Sequence, residues 1–141
     1  MSDWTDEPDH ERWTDEASGY ECVIQRHTSL KHLCGYVGLP ASHPWHGKGY
    51  DDVRMMDNEW VEVHGGLTYA DRHEPQGQPD GLWWLGFDCA HSGDLSPGVH
   101  ERMGRMVDWE TYKNWGFVKR ECVSLAEQAK RHAAAVSAAT V

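Results

Sequence analysis

Leu82-Trp-Trp-Leu-Gly-Phe87 is the most apolar run in the chain, and it stops abruptly at Asp88-Cys-Ala-His-Ser-Gly-Asp94. A short aromatic run bounded by turn residues reads as a buried central strand. Its neighbours are found by the same test. Tyr20-Glu-Cys-Val-Ile-Gln-Arg26 alternates with Tyr20, Cys22 and Ile24 on one face. His32-Leu-Cys-Gly-Tyr-Val37 is a second strand, joined to the first by a hairpin loop around Thr28-Ser29. Trp60-Val-Glu-Val-His64 alternates as a third, interrupted by Gly65-Gly66 and resumed at Leu67-Thr-Tyr69. Between them, LPASHPWHGKG (39–49) and DRHEPQGQPDG (71–81) are rich in Pro and Gly and read as loops. From about 114 to 135, Val118, Cys122, Leu125, Ala126 and Ala129 recur at helical spacing on one face. The expectation is an α+β fold, an antiparallel sheet of about four strands covered by a long C-terminal helix.

The bulk numbers agree with one compact unit. The chain has 141 residues, 39% hydrophobic and 26% charged, with 8 Trp and 10 His. That length suits a single domain, placed at 19–135, with an acidic segment at 1–18 and a fraying tail at 136–141. The formal charge is −10, and it is concentrated early. Seven acidic residues stand against Arg12 alone within 1–18, where Trp4 and Trp13 suggest that part of the segment docks on the body. No Lys/Arg stripe exists to replace the counterions of duplex nucleic acid. No run approaches the roughly 18 apolar residues of a membrane span. The acidic start carries no export signal, which leads us to expect a cytoplasmic protein whose four cysteines stay reduced.

Three constellations carry the functional expectation. The first is His64-Gly65-Gly66-Leu67-Thr68-Tyr69, where successive glycine N–H groups can cradle an anion, or simply turn the chain. The second is the exit of the central strand, where Asp88, Cys89, His91 and Asp94 crowd one loop behind a rigid element. The third is the braced loop with His43, Trp45, His46 and Lys48, which offers stacking and cationic contacts. Together with Tyr36, these outline a pocket at the strand ends built from Tyr36, His43, Trp45, His46, His64, Gly65, Gly66, Thr68, Asp88, His91 and Asp94. Aromatic rings would stack on a base, while imidazoles and backbone N–H groups take anionic oxygens. Such a pocket needs no cofactor. An alternative reading places zinc on His64, Asp88 and His91 with an open position for water, giving a metal-dependent hydrolase. No established zinc spacing is present, and nucleophilic use of Cys89 is the weaker option.

Leu-Cys-Gly-Tyr-Val-Gly-Leu-Pro followed by His43-Pro44, Val-His-Gly-Gly-Leu-Thr-Tyr-Ala (63–70), Trp83 through Asp94, and Val-Lys-Arg-Glu-Cys-Val-Ser-Leu-Ala (118–126) resemble a family of small uncharacterised bacteriophage and prophage proteins. The likeness runs from about Gly19 to Gln128. It implies a phage-encoded protein in the bacterial cytoplasm and names no reaction. In that setting the expected function is sequestration of a small ligand, such as a nucleotide-type host defence signal. A further alternative is inhibition of a host enzyme by protein–protein contact through the acidic segment 1–18. Whether turnover occurs, and whether the chain forms a homo-oligomer, the sequence leaves open.

Overall fold

The structure, a computed structural model, describes residues 7–56, 58–75, 77–89 and 114–139. Five strands, β1 (His10–Thr14), β2 (Glu21–Arg26), β3 (Leu33–Leu39), β4 (Tyr69–Asp71) and β5 (Trp83–Asp88), form one antiparallel sheet in the order β1-β2-β3-β5-β4. A single long helix, α1 (Trp115–Ala139), packs on one face. This is the expected α+β arrangement, with β5 an inner strand between β3 and β4.

The strand period of two sorts the side chains. Cys22 and Ile24 of β2, Leu33, Val37 and Leu39 of β3, and Leu85 and Phe87 of β5 point toward the helix. They meet Val118, Cys122, Leu125, Ala126 and Ala129, the helical stripe read from the sequence. Gly35 sits where strand β3 meets helix α1 with no room for a side chain. A Cβ there would lie 2.6 Å from both the Cys122 Sγ and the Phe87 ring. Cys22 and Cys122 are buried small side chains of this core, and all four cysteines are free thiols.

Two departures from the sequence expectation follow from backbone pairing. The stretch 60–64 keeps its alternation, with Val61 buried and Trp60 exposed, yet joins no sheet. Its ladder is replaced by helix side chains. The Gln128 amide accepts the Glu62 N–H at 2.9 Å and donates to the Glu62 carbonyl at 2.7 Å, and Glu121 Oε1 accepts the His64 N–H at 2.8 Å. Backbone groups need partners, but those partners need not be strands. The only pairing near this stretch among the described residues is a bridge between Arg54 and Trp60.

The second departure is β1, which lies inside the acidic segment 1–18. It pairs residue for residue with β2, from His10 with Gln25 to Thr14 with Glu21. Its carboxylate neighbours are used internally. Arg26, almost fully buried, pairs with Asp9 at 3.0 Å and Glu7 at 3.3 Å, and donates to the Lys31 carbonyl at 2.7 Å. Helix α1 also continues to Ala139, beyond the expected 135.

The sheet face away from the helix carries Val23, Tyr36 and Trp84. It is covered by the described residues of the loop between β4 and β5 (72–75 and 77–82). This loop folds back across the sheet instead of turning tightly. Glu74 reaches His10 on the far edge strand (3.1 Å), and Asp80 accepts from the Trp84 indole (3.3 Å) while facing Arg12 (3.4 Å). The Arg12 guanidinium lies over the Trp84 ring at 5.2 Å. No described helix is long and apolar enough to cross a membrane.

Candidate functional site

The residues expected to form one pocket divide into groups. His43 and Trp45 are structural. His43 Nε2 meets the Ala129 carbonyl at 2.7 Å, and its Nδ1 accepts the Trp45 N–H at 2.9 Å. Trp45 is fully buried, donates a hydrogen bond from its indole N–H to the Arg54 carbonyl (3.0 Å) and stacks on His132 at 4.8 Å. His46 contacts the Gly81 carbonyl (3.2 Å) and the Trp83 ring (5.9 Å), whereas the His64 ring stands edge-on to Phe117 at 5.2 Å. Gly65 and Gly66 both have positive φ, and the Gly66 N–H closes a turn on the Val63 carbonyl at 2.8 Å. That amide is therefore occupied within the turn rather than offered to an anion. His91 and Asp94 lie outside the described residues.

Tyr36, Thr68 and Asp88 do come together, on the sheet face away from the helix. Thr68 donates to Asp88 at 3.4 Å, and its N–H extends the ladder to the Gly86 carbonyl at 2.9 Å. Register puts Gln25, Cys34 and Asp88 in one row across β2, β3 and β5, with Val23, Tyr36, Gly86 and Tyr69 in the next. A Cβ at Gly86 would strike the Tyr36 ring, so glycine there lets Tyr36 lie flat on the sheet.

Where these rows meet the β2–β3 hairpin, two adjoining hollows of about 350 and 250 Å3 share Gln25, Arg26, His27 and Thr28. The larger adds Asp9, His10 and Lys31, and the smaller adds Cys34, Tyr36 and Pro75 of the covering loop. Their polar groups are well defined. His27 Nδ1 accepts the N–H groups of Ser29 (3.3 Å) and Leu30 (3.0 Å), which leaves the ring proton on Nε2. His27 stacks on His32 at 4.9 Å. Lys31 adopts φ +67°, an uncommon conformation held by the Arg26 contact with its carbonyl. Gln25 is 8% exposed, and its Oε1 has no hydrogen-bond partner among the described residues.

Burial pushes the Cys34 thiol up to about 12, helped by the nearby Asp88 carboxylate, and raises the Tyr36 hydroxyl for the same first reason. Both stay protonated at neutral pH. The pocket thus offers neutral donors, an ammonium, an imidazole N–H and one unmet acceptor, and Cys34 supplies no thiolate. This is equipment for holding a ligand.

Sequence reasoning identified the hairpin but gave no weight to Gln25, His27 and Lys31 around it. A His and a Lys bracketing a strand turn were the available signal. The folding back of 72–82, which walls the pocket, had none. For the zinc reading, no group of three His, Cys, Asp or Glu side chains converges among the described residues. His64 and Asp88 do not form a metal set with any third described side chain. Comparison with family models, curated proteins and solved structures finds no match to this chain.

Proposed function

We propose that the protein binds a small anionic ligand of nucleotide type in the double hollow at the β2–β3 hairpin, and acts by holding that ligand. The observation that carries this reading is Gln25, which lines both hollows and whose buried side-chain carbonyl oxygen has no hydrogen-bond partner among the described residues. A buried acceptor without a donor costs about 1–3 kcal/mol, and a ligand amide or amino edge would recover that cost. The surrounding groups complete such a ligand. Lys31 and His27 line the larger hollow, where they would take anionic oxygens beside the Arg26–Asp9 pair, and Tyr36 lines the smaller one, where it would take the base. The larger hollow falls within the size range of small-molecule sites. In the phage-infected cell that the motif resemblance implies, the corresponding role is sequestration of a host nucleotide signal.

Isothermal titration of the full chain against adenosine and guanosine monophosphates and their cyclic dinucleotides, with inorganic phosphate as control, tests the reading. One nucleotide should bind stoichiometrically and more tightly than phosphate. Gln25→Leu and Lys31→Gln should each weaken it by about tenfold, the size of one lost charged or buried hydrogen bond. His64→Ala should leave it unchanged. Absence of saturable binding across the panel, or affinity indifferent to Gln25→Leu, sinks the proposal.

A further inference from the structure

On the other side of the molecule, the loop that follows the fully buried Val53 stands away from helix α1. Met55 N–H bonds to the Glu59 carbonyl (2.9 Å), and Asn58 N–H to the Met55 carbonyl (2.9 Å), making a tight turn with Asn58 at φ +65°. The turn lifts Met56 and Trp60 into solvent at 53% and 57% exposure, although large apolar side chains usually find cover. Arg54 holds the Trp60 ring from one side, its guanidinium 3.5 Å from the centroid. A groove of about 530 Å3 runs between this turn and the helix. Its apolar wall is Met55, Met56 and Trp60, and its rim carries the carboxylates of Glu59, Glu62 and Glu127 against Arg131 alone. Trp60 also walls a smaller hollow of about 220 Å3 on its opposite side.

A second observation points independently to an occupant. His132, 7% exposed, lines the same groove, and its Nδ1 is buried with no partner among the described residues. Its ring is fixed by stacking on Trp45. A buried ring nitrogen needs a hydrogen-bond partner in either tautomer. A peptide backbone, with its donor and acceptor side by side, satisfies both. An exposed aromatic anchor with an apolar floor and a charged rim is the composition of a protein-binding hot spot.

We infer that the groove between the 54–60 turn and helix α1 docks a basic, partly apolar peptide segment of a partner protein. Apolar side chains of the segment pack on Met56 and Trp60, its Lys or Arg side chains face Glu62 and Glu127, and its backbone meets His132. This surface is separate from the hairpin hollows and shares no lining residue with them.

Fluorescence anisotropy with the full chain and three labelled peptides tests the inference: alternating lysine and leucine, alternating glutamate and leucine, and alternating lysine and serine. The lysine–leucine peptide should bind about tenfold more tightly than either of the others. Trp60→Ala, and separately the pair Glu62→Gln with Glu127→Gln, should each cost about tenfold, as central interface residues do. Lys31→Gln should have no effect. Trp60 is exposed, so its variant should keep the parent's thermal midpoint, and lost binding then reports the surface rather than the fold. Equal affinity for the three peptides, no saturable binding by any, indifference to both variants, or full displacement by spermidine at the peptide's own concentration overturns the inference.

Discussion

His43 accepts a hydrogen bond from the Trp45 amide and donates one to the Ala129 carbonyl, so only the neutral ring satisfies both neighbours. Burial holds its pKa below the ordinary value of 6.5, with the Ala129 carbonyl opposing, and burial lowers His132 likewise. A depressed imidazole contributes stability that is complete above the unfolded pKa and is lost as pH falls toward the folded one. The thermal midpoint should therefore drop between about pH 7.5 and about pH 5.5, before carboxylates titrate. His43→Gln should lower the midpoint at the higher pH and shrink that drop, as thermal scans at the two values will read. Trp45→Ala, which empties a fully buried site and orphans the Arg54 carbonyl, should cost about 3–5 kcal/mol in urea unfolding. At this scale the sequence misleads for a physical reason. A His and a Trp in a loop braced by Pro and Gly look the same whether they face a ligand or the core. The deciding contact, Ala129, lies 86 residues away.

At the scale of elements, the legible part was whatever depends on local period. The alternation of β2, β3 and β5 and the stripe of α1 come directly from side-chain spacing, and the structure keeps them. The segment 60–64 shows where period is not enough, since its alternation is real but the partner of its backbone is a helix. Gln128→Ala removes both amide bonds to Glu62 and should destabilise by about 1–3 kcal/mol, with the urea slope unchanged. Loss below the error of the titration would show that Val61 and Val63 packing, the Glu121 bond to His64 and the Arg54–Trp60 bridge hold the 60–64 segment without the Gln128 bonds. Gly35→Ala drives a methyl group into Cys122 and Phe87, and should cost about 1–3 kcal/mol by overpacking. Chemical denaturation measures it, and the double variant Gly35→Ala with Cys122→Ala should recover part of the loss.

Across the whole molecule, the sheet has two faces and two kinds of cover. The helix covers one, as the sequence predicts, and a folded-back loop covers the other. No periodicity announces such a loop. Its attachments are polar: Glu74 hydrogen-bonds His10 and faces Arg12, and Asp80 faces Arg12 and accepts from the Trp84 indole. The pocket walled by Pro75 inherits that dependence, which is why the candidate site was harder to read than the fold. The edges are short or charged, three residues in β4 and His-Glu-Arg in β1, which discourages pairing with other sheets. The Glu74 contact also joins residues 64 positions apart. During synthesis, the opening strand leaves the ribosome long before its clasp exists. The β1–β2 ladder uses only residues up to 26, whereas the Glu74 contact cannot close until residue 74 has emerged. A nascent chain halted before residue 74 would hold its first strand through β2 and Arg26 but lack the Glu74 clasp on His10.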